Sequence, residues 1–183
     1  RKKKNTTCSI CYARKGRYVF KAVEQAYQRR WIAYKNRPKD AWMDAMVLEI
    51  SRQKVPYFRV FDSGDLQDET MLKTWFEVAR RVPSVHFWLV TKETGILNRV
   101  LQTEICPTNM VVRVSAEFIG QPAAGNWPNT GEVEAMSKAE WAGFVEESTK
   151  ERYYCPSPLN DNRCGDCRAC WDPDVKVVVY IRH

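Results

Sequence analysis

"YFRVFDSGDLQDETMLKTWFEVARR", residues 57–81, decides the fold. Aromatic and β-branched residues dominate 57–62, and Ser63-Gly64-Asp65 ends the run. The stretch reads as a buried strand followed by its turn. Residues 69–81 then carry apolar side chains at helical spacing and stop before Pro83, with Asp65 or Asp68 available to cap the first turn. A strand that turns into a helix needs another strand to return to, and "VHFWLVTK" (85–92) supplies one.

Outward from this unit the alternation continues. "MVVRVSAE" (110–117) and "VKVVVYIRH" (175–183) read as further strands, 96–101 as a short helix, and Ser137-x-x-Glu140 as a capping box opening another helix. Upstream, "YVFKAVEQAYQRRWIAYK" (18–35) and "PKDAWMDAMVLEISRQ" (38–53) read as helices broken at Asn36-Arg37-Pro38. Residues 117–131, with three Gly and two Pro, read as a long loop. Strands separated by helices predict an α/β fold with a mainly parallel sheet and crossover helices, open or closed into a partial (β/α) barrel. At 183 residues the expectation is a single domain, 1–183, with a Cys-rich segment (155–171) before the last strand.

In parallel sheets chemistry gathers at the carboxyl ends of the strands. Those ends read Asp62-Ser63-Gly64-Asp65, Thr91-Lys92 and Ser115-Ala116-Glu117. Each alone is good turn and cap chemistry. Their recurrence after three strands makes them candidate binding residues.

An apolar fraction of 44% with 28% charged residues is ordinary for a soluble domain, and no apolar run approaches a bilayer span. No membrane association is expected. The basic start leads into polar residues and cysteines without the apolar core of a signal peptide, so a cytoplasmic protein with reduced thiols is expected. The net charge of +7 is uneven. Residues 1–54 hold 15 Lys and Arg against 4 Asp and Glu, the remainder 14 against 18. The basic first third points to nucleic acid or another polyanion as partner, or to a solvated basic face.

Seven cysteines carry the sharpest signal. "CPSPLNDNRCGDCRACW" contains C-x8-C-x2-C-x2-C, Cys155, Cys164, Cys167 and Cys170, with Gly165 giving the backbone room to wrap. Four thiolates so spaced suit zinc or an iron–sulfur cluster, and spacing does not choose between them. Cys8 and Cys11 form a lone C-x2-C, which is half a zinc site, a redox pair or an accident. Arg14, Lys15 and Arg17 beside it would offset the negative charge of a thiolate-ligated centre. Cys106 stands alone and reads as a buried inert thiol.

"CSICYARKGRY", the 57–92 stretch and the terminal Cys-rich segment, followed by a strand ending in His183, resemble the phage gene product 88 family, regarded as radical-SAM-like. The resemblance runs from Cys8 to His183. It implies a partial barrel of radical-SAM type and a protein of the cytoplasm, that of the host cell if phage-encoded. It also implies a [4Fe–4S] cluster with one iron open to S-adenosylmethionine, acting on a nucleotide, nucleic acid or peptide. Cys8 and Cys11 would be the last two of three cluster ligands. Residues 1–7 hold no cysteine, so the third is expected upstream of this sequence or from the C-terminal set, or the chemistry has been lost. Ser63-Gly64-Asp65 would receive the amino group of S-adenosylmethionine, since Gly64 permits close approach and Asp65 accepts from an ammonium. Ser115 and Glu117 would contact ribose or carboxylate, and Lys92 would balance a carboxylate. No catalytic residue is implied. The alternative is a non-catalytic nucleic-acid-binding protein stabilised by one zinc at the C-terminal cysteines.

Overall fold

The computed structural model describes residues 5–182, so the basic start and the terminal His183 lie outside the described residues. Five helices and six strands follow in the order α1 Lys21–Asn36, α2 Lys39–Gln53, β1 Tyr57–Arg59, α3 Glu69–Arg81, β2 His86–Thr91, α4 Thr94–Leu101, β3 Met110–Ser115, β4 Thr130–Glu134, α5 Lys138–Glu146, β5 Arg152–Tyr154 and β6 Val177–Ile181. The strands form one parallel sheet in the order β1-β2-β3-β4-β6-β5. The α/β fold with a parallel sheet is as expected. The last strand does not lie at the sheet's edge: Thr130 of β4 pairs with Val177 of β6, which pairs on its other side with Arg152 of β5.

Three details depart from the sequence reading. The first helix begins at Lys21 and not at 18, because Gly16–Val19 forms a 3-10 turn and Phe20 caps the helix in extended conformation. β1 has three residues where six are expected. β4 begins inside the expected loop, and β5 is an unexpected strand just before Cys155.

The chain divides into two compact units, the division falling within β2 and at the start of β3. One comprises Cys11–Phe87 and Gly95–Met110. Its core is built on α3, where Leu72, Phe76, Val78 and Ala79 are fully buried. Trp75 meets Trp42 edge-on at 5.3 Å and Phe58 of β1 at 6.0 Å. Asp68 caps this helix, its Oδ1 accepting from Met71 N at 2.7 Å. At the other end Asn109 Nδ2 donates to the carbonyls of Ala79 and Val85, each at 2.9 Å. Both ends of α3 therefore have partners for backbone groups that a helix leaves open.

The other unit runs up to Ile10 and includes Trp88–Thr94 and the chain from Val111 onward. Side chains alternate along strands, so its parallel register sorts them onto two faces. α5 covers one: Trp141, fully buried, meets Tyr154 edge-on at 5.4 Å. Its start carries the expected capping box of Ser137 and Glu140. On this face the buried Glu132 pairs with Arg152 at 2.7 Å, and Glu134 joins at 3.1 Å. The opposite face presents Arg113, Ser115, Tyr153, Cys155 and Tyr180, and there the Cys-rich segment folds back.

Candidate cysteine centres and strand-end loops

Cys155 follows β5 directly and extends its ladder, its N–H donating to Val179 O at 2.9 Å. The chain then turns through Ser157–Leu159 and returns through Ala169–Trp171. Gly165 sits at φ +54, and a Cβ there would lie 2.9 Å from the Asn160 amide, so only glycine suits this bend. Arg113 holds the returning segment. Its fully buried guanidinium donates to the carbonyls of Ala169 (2.7 Å), Cys170 (3.0 Å), Asp172 (2.8 Å) and Val175 (2.9 Å). Burial lowers its pKa below the usual guanidinium value.

Three of the four thiols meet hydroxyls. Cys170 Sγ lies 3.2 Å from Tyr180 OH, Cys167 Sγ donates to Tyr153 OH at 3.5 Å, and Cys155 Sγ donates to Ser157 Oγ at 3.2 Å. Cys164 is exposed. Burial pushes the Cys170 thiol up to about 12, the Tyr180 hydroxyl and Arg113 pulling the other way. Burial likewise raises Cys155. Tyr153 is pushed up to about 12, first by its bond with Cys167 and then by burial. A metal taken up here would have to displace thiol protons, because thiolates are the ligating form. All seven cysteines are free thiols. Among the described residues no group of three or more His, Cys, Asp or Glu is placed to hold a metal ion.

The N-terminal pair lies on a run of 3-10 turns, Cys8 exposed within Thr7–Ile10 and Cys11 half-buried ahead of Tyr12–Arg14. In the β4 unit, Thr7 N donates to Glu117 O at 2.9 Å and Thr7 Oγ1 to Ala116 O at 3.1 Å. These carbonyls belong to the loop leaving β3. In the α3 unit, Tyr12 OH donates to Asp62 O, Tyr18 OH to the Asp62 carboxylate, and Arg59 Nη2 to both Tyr12 OH and Asp62 O at 3.2 Å. Burial and then this carboxylate bond raise the pKa of the Tyr18 phenol. Asp62 belongs to the loop leaving β1. Within the β4 unit Cys8 thus follows an anchor on the loop leaving β3, and within the α3 unit Cys11 precedes an anchor on the loop leaving β1.

The predicted cofactor-binding residues fall into two groups. In the α3 unit, Ser63 Oγ donates to Tyr27 OH at 3.2 Å, Gly64 takes φ +90 with open space where a Cβ would stand, and Asp65 Oδ1 accepts from Leu66 N at 2.8 Å. In the β4 unit, Lys92 Nζ donates to Ser115 Oγ at 2.8 Å, and the exposed Glu117 accepts Thr7 through its main chain. Lys92 and Ser115 are brought together, on the sheet face that also carries Arg113 and Cys155. Sequence reasoning misses Arg113, Tyr153 and Tyr180, which hold the Cys-rich segment, and Tyr12, Tyr18 and Arg59, which hold the N-terminal one. The signal for Arg113 is a cation inside the apolar run "MVVRVS".

No helix among the described residues is long and apolar enough to cross a membrane. A search of curated proteins found no match, and neither did a search of solved structures. A family model does match, over residues 2–173, nearly the whole chain. The chain belongs to the Gene product 88 family, a phage gene product family.

Proposed function

We propose that this chain is an iron–sulfur protein of radical S-adenosylmethionine type, with Cys8 and Cys11 as two ligands of a [4Fe–4S] cluster and a nucleotide, nucleic acid or peptide as substrate. One observation carries it: Thr7, next to Cys8, is hydrogen-bonded to the main chain of Glu117 and Ala116 at the carboxyl end of β3. Carboxyl ends of parallel strands are where α/β folds gather their chemistry. The fit is incomplete. Two cysteines are present on this segment where such a cluster takes three, so the third would come from elsewhere.

When bound, the cluster supplies reductive cleavage of the S-adenosylmethionine sulfonium to a carbon radical. This chain's own residues would bind and orient. Gly64, with no side chain and open space above it, lets a ligand approach the backbone. Asp65 offers a carboxylate to an ammonium beside it. Lys92, held by Ser115, offers a cation to a carboxylate, and Glu117 an exposed acceptor to a ribose hydroxyl.

The C-terminal set favours a second reading, a zinc or a further iron–sulfur centre that is structural. Its support is the C-x8-C-x2-C-x2-C spacing, with Cys167 against Tyr153 and Cys170 against Tyr180 on one sheet face, although among the described residues no three of these cysteines are placed to hold a metal ion. With zinc there and nothing at Cys11, the chain would be a zinc-stabilised binding protein. Electron paramagnetic resonance separates these readings. In anaerobically reconstituted, reduced protein, adding S-adenosylmethionine should change the cluster signal, and the change should vanish in Cys11→Ser. A signal indifferent to S-adenosylmethionine rejects the radical reading, whichever metal the C-terminal set holds.

A further inference from the structure

Helix α1 carries a surface that neither cysteine set explains. On α1 and its C-cap stand Lys21, Arg29, Arg30, Lys35 and Arg37 against the single Glu24, and all five are exposed. Elsewhere Arg80, Arg81, Arg99 and Arg152 each meet a carboxylate. Among the described residues none of those five cations does. They form one uncompensated positive field, which costs self-repulsion unless an anion lies against it.

The same segment exposes large apolar side chains: Phe20 is 59% exposed, Trp31 42% and Ile32 55%. Phe20 and Trp31 are eleven residues apart, three helical turns, so they stand in one row about 16 Å long. Trp31 has Lys35 Nζ 5.5 Å from its ring centroid, and Arg30 lies 5.8 Å from the Tyr27 ring. Lys21 and Lys35 flank the row on one side and Arg30 on the other. Rings alternating with cations match a chain of bases alternating with phosphates. A duplex keeps its base faces stacked, so the rings select unpaired nucleotides. A bilayer would need a continuous apolar stripe, but Glu24, Gln25 and Gln28 separate the two apolar islands.

We infer that the exposed face of α1, with Phe20 and Trp31 as stacking platforms and Lys21, Arg30 and Lys35 as phosphate contacts, binds single-stranded nucleic acid. This inference stands independently of any metal centre, since every residue named lies outside both cysteine sets.

Fluorescence anisotropy with a 5′-labelled oligodeoxythymidylate 20-mer tests it, using the full chain. Saturable binding is expected. With about four phosphates neutralised, affinity should fall about 50-fold between 50 and 200 mM salt. Trp31→Ala should weaken binding about tenfold. Because Trp31 also stacks on Tyr34 at 5.8 Å, the double variant Arg30→Gln/Lys35→Gln provides a second reading that leaves the rings in place. It should reduce the salt slope by about 1.4. No saturable binding, or binding that both variants leave unchanged, overturns the proposal. So does binding to phosphatidylserine vesicles with none to the oligonucleotide.

Discussion

Arg113 donates from Nε to the main-chain carbonyl of Cys170 at 3.0 Å, in an interior where its guanidinium has no exposure. The same side chain reaches the carbonyls of Ala169, Asp172 and Val175. One planar fork thereby satisfies four acceptors of a loop with little secondary structure. Arg113→Ala would strand them, each at a cost on the order of 1–3 kcal/mol, so a loss of at least about 3 kcal/mol is expected. In a chain of this length that lowers Tm by about 6–12 °C. Arg113→Lys, with three donors on a point charge, should recover only part of it. Thermal unfolding followed by circular dichroism decides. An unchanged Tm would mean the loop holds its shape without this contact.

Asp68 acts more modestly. Its carboxylate accepts Met71 N at the start of α3, so Asp68→Ala should cost about 1 kcal/mol and about 2–4 °C in Tm. Asp68→Asn, which keeps an acceptor oxygen, should be near wild type. Equal losses in both variants would show that charge and not the cap bond matters.

Cys106, expected to be buried, is half-buried, its Sγ 3.6 Å from Met110 O. Burial pushes its pKa from the ordinary 9.0 up to about 11, with Arg80 pulling weakly the other way. The unfolded chain loses this proton first. Its contribution to stability is therefore fully present below pH 9 and is lost as pH rises to about 11. The difference in Tm between wild type and Cys106→Ala should shrink across that window. At pH 8, iodoacetamide should label the exposed Cys8 and Cys164 well before Cys106, as read by peptide mass spectrometry. Equal labelling would contradict the burial.

α3 is legible to the residue because local signals agree: an Asp cap, apolar residues at helical spacing, and a stop before proline. β4 is not, because "TGEVE" has a glycine and two acids where a buried strand should be apolar. Distant partners override that composition. Arg152 compensates Glu132 and Glu134, and Gly131 leaves room for the Tyr180 ring, which lies 3.4 Å from where a Cβ would be. β5 has three residues, too few for a period to show. The Cys-rich segment is legible from spacing alone, but its support is not. Tyr153, Tyr180 and Arg113 come from strands that only the tertiary fold brings to one face.

The claim that matters most is a cluster at Cys8 and Cys11, and its direct measurement is iron and acid-labile sulfide per chain after anaerobic reconstitution, with the visible absorption spectrum. Wild type should show a broad thiolate-to-iron charge-transfer band and about four iron and four sulfide for each cluster formed. Cys11→Ser should lose that cluster, while Cys167→Ser should disturb only metal held by the C-terminal set. Zinc alone, at one per chain and unaffected by Cys11→Ser, would contradict the account and leave the N-terminal pair without a metal.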